Sequence, residues 1–147
     1  MAESVSLQVF DVTASALRAE RTRMSVVAQN IANAEVSGSA ANPPYRRQRV
    51  LFESVLEDAV GRARGQSGKN GAAGEIRATV ADAPGEFRRV KIDGHPDADA
   101  DGWVLFPNVN VVDEMVDLID ASRTYEANLS ALRTWRQMLR QTIEMAR

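Results

Sequence analysis

The chain has 147 residues, room for one domain or for a small domain with long terminal elements. Its net charge of -2, with 26% charged residues of both signs intermixed, excludes the basic footprint of a nucleic-acid binder. It has no cysteine, which excludes a disulfide framework, a thiol nucleophile and a thiolate metal site, and only 5% aromatic residues, which argues against a thick core.

Residues 1–10 have no basic start and no continuous apolar run, so a cleaved secretory signal is not expected. Residues 5–34 read as one helix. Phe10, Leu17, Met24 and Ile31 fall seven apart, with Ala14, Val27, Ala28 and Ala34 beside them, which is the narrow stripe of a coiled-coil seam. The helix should stop near Asn33, because Asn tolerates the left-handed cap, Val36-Ser37-Gly38 are poor helix formers, and Pro43 and Pro44 prevent continuation.

The period then changes. Tyr45 to Phe52, Ile76 to Val80, Phe87 to Ile92 and Trp103 to Phe106 are short β-favouring stretches, predicting three or four strands. Between them, residues 61–74 are rich in glycine and carry no large apolar side chain, the composition of a flexible loop. Beyond Pro107 a second helix is expected from Val111 to Met145. Leu118, Tyr125, Leu132 and Leu139 again fall seven apart. Asn108 or Asn110 is the cap candidate, and Asp113 and Glu114 in the first turn suit the helix dipole. The fold class implied is α+β, with 1–36 and 107–147 as helices pairing in a coiled coil and 37–106 as a small β-rich domain.

Three segments invite a chemical reading. Asp97-Ala98-Asp99-Ala100-Asp101-Gly102 has the alternating carboxylates and glycine of a calcium loop, but the twelfth position is Asn108 where a bidentate Glu belongs, and helices do not flank it; a solvated turn is the better reading. His95, the only histidine, stands before Pro96 with no nucleophile motif near it. Gly68-Lys69 resembles the end of a phosphate loop, yet Asn70 replaces the Ser or Thr that would hold magnesium. The stripe Arg133, Arg136, Arg140 and Arg147 reads as a solvated face or a contact for acidic neighbours in an assembly. No catalytic residue, metal site, cofactor or small-molecule substrate is expected.

The terminal seams remain. A helix of about 30 residues spans about 45 Å, while the middle segment offers only a small sheet to lean on. An isolated pair of such helices is marginal, and the seams would gain most by packing on helices of other chains.

Specific residues then extend the pattern. Asn30-Ile31-Ala32-Asn33-Ala34, closing a long N-terminal amphipathic helix, resembles the signature of the flagellar rod and hook axial proteins. Pro44-Tyr45-Arg46-Arg47, Gly94-His95-Pro96-Asp97, Pro107-Asn108-Val109-Asn110-Val111 and Ala121-Ser122-Arg123-Thr124-Tyr125-Glu126-Ala127-Asn128 are similar to blocks of the same family. The resemblance implies a structural subunit of the proximal rod of the flagellar basal body, exported by the flagellar type III apparatus with its N-terminus intact. It also implies terminal helices stacked in a tube with the β-rich domain outside. The partners implied are other copies of the chain, other rod proteins and the rod-ring adaptor. Lys91-Ile92-Asp93 and the length of the 61–74 segment depart from the family pattern, which bears on the strands of the middle domain.

Overall fold

The computed structural model describes residues 2–54 and 75–145. The glycine-rich segment 61–74, with Gly68-Lys69, lies outside the described residues, and so does Arg147. The elements run in the order α1 (Ala2–Asn33), β1 (Gln48–Ser54), β2 (Ile76–Asp82), β3 (Arg88–Lys91), β4 (Trp103–Phe106) and α2 (Val111–Met145). The described residues are α+β: among them are two long helices and two small sheets, β1 with β2 and β3 with β4. Among the described residues no helix is long and apolar enough to cross a membrane.

Local sequence accounts for the helix limits. The Asn110 side chain accepts the N–H of Val112 at 3.1 Å and its carbonyl accepts that of Glu114 at 3.1 Å, so Asn110 is the N-cap of α2. Asp113 and Glu114 occupy the first turn. At the end of α1 the N–H of Ala34 bonds the carbonyl of Ile31 and that of Val36 bonds Asn33, which closes the last turn before the chain leaves.

Two compact units divide the chain. The first takes α1 up to Thr22, the strand residues from Phe52 and up to Thr79, and α2 from Ala121 onward. In it the Phe10 and Trp135 rings lie 6.4 Å apart and tilted, and Ala121 is fully buried. Ser15, also buried, donates its hydroxyl to the Val12 carbonyl at 2.7 Å and accepts the N–H of Ile76 at 3.0 Å, holding the start of β2 to α1.

The second unit takes Arg23–Leu51 and Val80–Asp120. Its core is Val104, Phe106, Ala83, Val26, Val27 and Ala34. β3 and β4 are antiparallel, with Val90 opposite Val104 and Arg88 opposite Phe106. The chain leaving α1 covers the other edge of β4: Gly38 and Leu105 exchange both backbone hydrogen bonds, at 2.9 and 3.2 Å. Guanidinium groups roof two aromatic rings, Arg46 over Phe87 at 5.1 Å and Arg88 over Phe106 at 5.2 Å.

Candidate assembly surfaces and the motif network

Asn30 is the centre of the second unit. It is 1% exposed, and each hydrogen-bonding position of its amide is used. Nδ2 donates to the Gln48 carbonyl at 2.8 Å and to Glu114 Oε2 at 2.9 Å; Oδ1 accepts from the Tyr45 hydroxyl at 2.9 Å and from the Gln48 N–H at 3.0 Å. Glu114, equally buried, takes Arg47 on its other oxygen, with Nε at 2.7 Å and Nη2 at 2.6 Å. The carbonyl of Arg47 in turn receives the N–H of Ala83 at 2.7 Å. One connected set of bonds therefore joins the end of α1, the approach to β1, the chain after β2 and the first turn of α2. Burial pushes the Tyr45 phenol above its ordinary pKa of 10.0, and the charges of Glu114 and Asp82 act in the same direction.

The network is built from geometry as much as from residue type. Asn30 and Glu114 each stand in the covered stripe of their own helix, and a carboxylate there is stable only because Arg47 neutralises it. Sequence reasoning singled out Asn30 for its motif and Glu114 for the helix dipole, but missed that the two meet. A signal was present: Glu114 falls four residues before Leu118 and seven before Ala121, a charge in the register of an apolar seam.

The proposed seam residues are all half-buried. On α1 these are Phe10, Leu17, Met24 and Ile31; on α2 they are Leu118, Tyr125, Leu132 and Leu139. Among the described side chains the most deeply covered positions on α1 are others, namely Ser15, Ala19, Val26, Val27 and Asn30, with Ala34 just beyond its end, while Ala28 is exposed. Of the remaining motif residues, Asn33 donates to the Gln29 carbonyl at 2.8 Å, Ala32 and Asn108 face solvent, Pro107 is buried and Asn110 caps α2.

Two carboxylates of the acidic turn, Asp97 and Asp99, accept hydrogen bonds from within the chain. Asp99 accepts the N–H of Asp101 at 3.0 Å and of Trp103 at 2.8 Å, an Asx turn leading into β4. Asp97 accepts the Ser37 hydroxyl at 2.6 Å, fastening the exit of α1 to this turn. His95 Nδ1 accepts the Asp97 N–H at 3.1 Å. Gly102 closes the turn with φ +83°, a conformation that favours glycine.

Two sequence families match these same regions. Residues 10–38 match the model "Flagella basal body rod protein", and residues 100–145 match "Flagellar basal body rod FlgEFG protein C-terminal". Over nearly the whole chain it is similar to flagellar basal-body rod protein FlgC of Salmonella typhimurium, 37% identical over 95% of this chain and 96% of the relative. It is likewise similar to FlgC of Bacillus subtilis, 36% identical over 93% and 95%, and to FlgC of Agrobacterium fabrum, 36% identical over 91% and 90%. A protein of two long helices and small sheets, with motif residues held in a buried polar cluster and with such relatives, is a structural subunit of the bacterial flagellar basal-body rod. The chain belongs to the flagellar basal-body rod protein FlgC family.

Proposed function

We propose that this rod subunit polymerises through its terminal helices, which pair as an antiparallel coiled coil and pack on those of neighbouring subunits. The observation that carries this reading is the spacing of covered positions along α2. Glu114, Leu118, Ala121, Tyr125, Asn128, Leu132, Trp135 and Leu139 are buried or half-buried at alternating intervals of four and three, the heptad period. Helix-to-helix contacts support the antiparallel sense. In the second unit Arg23 meets Asp117 at 3.5 Å and Asn30 meets Glu114, so later residues of α1 face earlier residues of α2.

In this reading residues 1–36 and 107–147 form the helical part of the tube wall and 37–106 the outer domain. The seam is Phe10, Leu17, Met24 and Ile31 with Leu118, Tyr125, Leu132 and Leu139. The subunit reaches its place through the flagellar export apparatus, contacts further copies of itself, other rod proteins and the rod-ring adaptor, and transmits torque as part of the shaft. It performs no catalysis and takes no cofactor.

The test is Leu132→Asp, which places a charge on the seam. The reading expects loss of swimming and loss of the chain from isolated basal bodies, with the variant still appearing in the culture medium. Normal rods containing Leu132→Asp at wild-type level would contradict it.

A further inference from the structure

The coiled-coil reading leaves one face of α2 without an occupant. Val112, Met115, Val116 and Ile119 are all half-exposed or more, Val112 at 67%. Their spacing of i, i+3, i+4 and i+7 puts them on one stripe, on the side of the helix away from the buried Glu114 and Ala121. A contiguous apolar stripe in solvent marks a contact surface. It is bordered by Asp113, Asp117 and Asp120, themselves at i, i+4 and i+7, with Arg123 at its far end. Asp117 is matched by Arg23 within the chain, and Asp120 also has a partner there. The border as a whole is acidic.

The same helix carries the complementary surface further on. Arg133, Arg136 and Arg140 are exposed, continue the same spacing to Ile143, which is 64% exposed, and have no ion-pair partner among the described residues. One half of α2 thus offers an apolar stripe with an acidic edge, and the other half a basic stripe ending on an apolar side chain.

Charge decides which occupant fits. A self-contact of the apolar stripe across a two-fold axis, with the helices antiparallel, would set two acidic edges on the same side and leave like charges facing. A contact with the basic stripe of a second copy pairs the opposite charges. Resting on the assembly reading above, we propose that the stripe Val112, Met115, Val116, Ile119 is the docking surface for the Arg133-Arg136-Arg140-Ile143 stripe of a second copy of this chain. Such a contact joins two different surfaces, leaves one of each free on every pair, and so continues from copy to copy.

The chain contains no cysteine, so disulfide mapping on the full chain needs no background removal. Val116→Cys and Ile143→Cys lie about 40 Å apart along one helix, too far to bridge within a molecule. Each variant is made alone and both together in cells lacking the wild-type chain, and basal bodies are isolated, oxidised and probed for this chain. The inference expects a disulfide-linked ladder from the double variant and none from either single variant. A dimer from Val116→Cys alone, or no cross-link in basal bodies that hold the double variant at wild-type level, overturns the docking surface while leaving the assembly reading intact. Absence of the wild-type chain from basal bodies overturns both. Charge reversal supplies an independent arm. Asp113→Arg and Arg136→Asp are each expected to lower incorporation several-fold, and the combination to restore it; a combination no better than either single change overturns the proposal.

Discussion

Asn30 and Glu114 are 84 positions apart in the chain and are joined in the interior by a hydrogen bond of 2.9 Å between amide and carboxylate. That bond fixes where the end of one terminal helix meets the start of the other. Because both groups are buried and their other positions are filled by Tyr45, Gln48 and Arg47, the register between these segments is specified by polar geometry as well as by apolar contact. A one-position slip of either helix would leave several buried polar atoms unpaired.

Replacing Asn30 by Leu tests this directly. The substitution keeps apolar bulk but orphans the Gln48 N–H and one oxygen of Glu114, each costing about 1–3 kcal/mol. Urea unfolding of the purified chain is expected to show a loss of about 3 kcal/mol. A loss below about 0.5 kcal/mol, within the range of ordinary surface changes, would show that the network contributes little.

Arg47 and Glu114 form the charged part of the same cluster, and their removal should not be additive. Arg47→Met leaves a buried carboxylate unneutralised, at a cost of about 3–5 kcal/mol. Removing both charges with Arg47→Met and Glu114→Met should recover part of that loss. Equilibrium unfolding of the two single variants and the double variant gives the coupling, and additive losses would mean that the pair is not energetically closed on itself.

The Tyr45 phenol titrates above its ordinary 10.0 in the folded chain. As pH rises past 10, the unfolded chain releases this proton first and binds fewer protons than the folded chain, so stability falls with pH. The contribution is complete below about 10 and is lost as pH passes through the raised folded value. Tyr45→Phe is expected to be less stable than wild type at neutral pH, having lost the bond to Asn30, and to show a shallower decline above pH 10. Parallel slopes for the two proteins in that range would contradict this assignment.

Gly38 is required by proximity. A methyl group there would lie 2.5 Å from the Pro44 nitrogen and 2.7 Å from the Asn42 carbonyl oxygen, both backbone atoms with little freedom to retreat. Gly38→Ala should cost about 1–3 kcal/mol as the segment bridging to Leu105 is displaced. Thermal unfolding that matched wild type would show that this loop yields without penalty.

Two long helices and three or four short strands were legible in the sequence, the helices through their seven-residue spacing and the strands through β-favouring stretches set between turn formers. The seven-residue spacing of Leu118, Tyr125, Leu132 and Leu139 marks α2, and the Pro107-to-Asn110 segment marks its start. α1 begins a few residues earlier than residue 5, where Ala2, Glu3 and Ser4 are compatible with helix but contribute no stripe. What could not be read was which residues meet across the chain. Tyr45, Arg47 and Glu114 looked like a loop tyrosine, a basic alternation and a dipole-favouring carboxylate, each with a local explanation. Their joint role exists only once the approach to β1 passes beside the ends of both helices. The broad coverage of α1 was hidden for a related reason: Ser15 and Asn30 are polar, so a search for apolar periodicity passes over two of its most buried positions.

If this chain is a wall element of the rod, α1 and α2 lie in the tube. Electron cryomicroscopy of basal bodies isolated from cells carrying this chain tests it most directly. Density for both long helices is expected within the rod close to the membrane ring, with the β-stranded segment projecting outward. Rods that are complete in cells lacking the chain, or density that places it outside the rod, would contradict it.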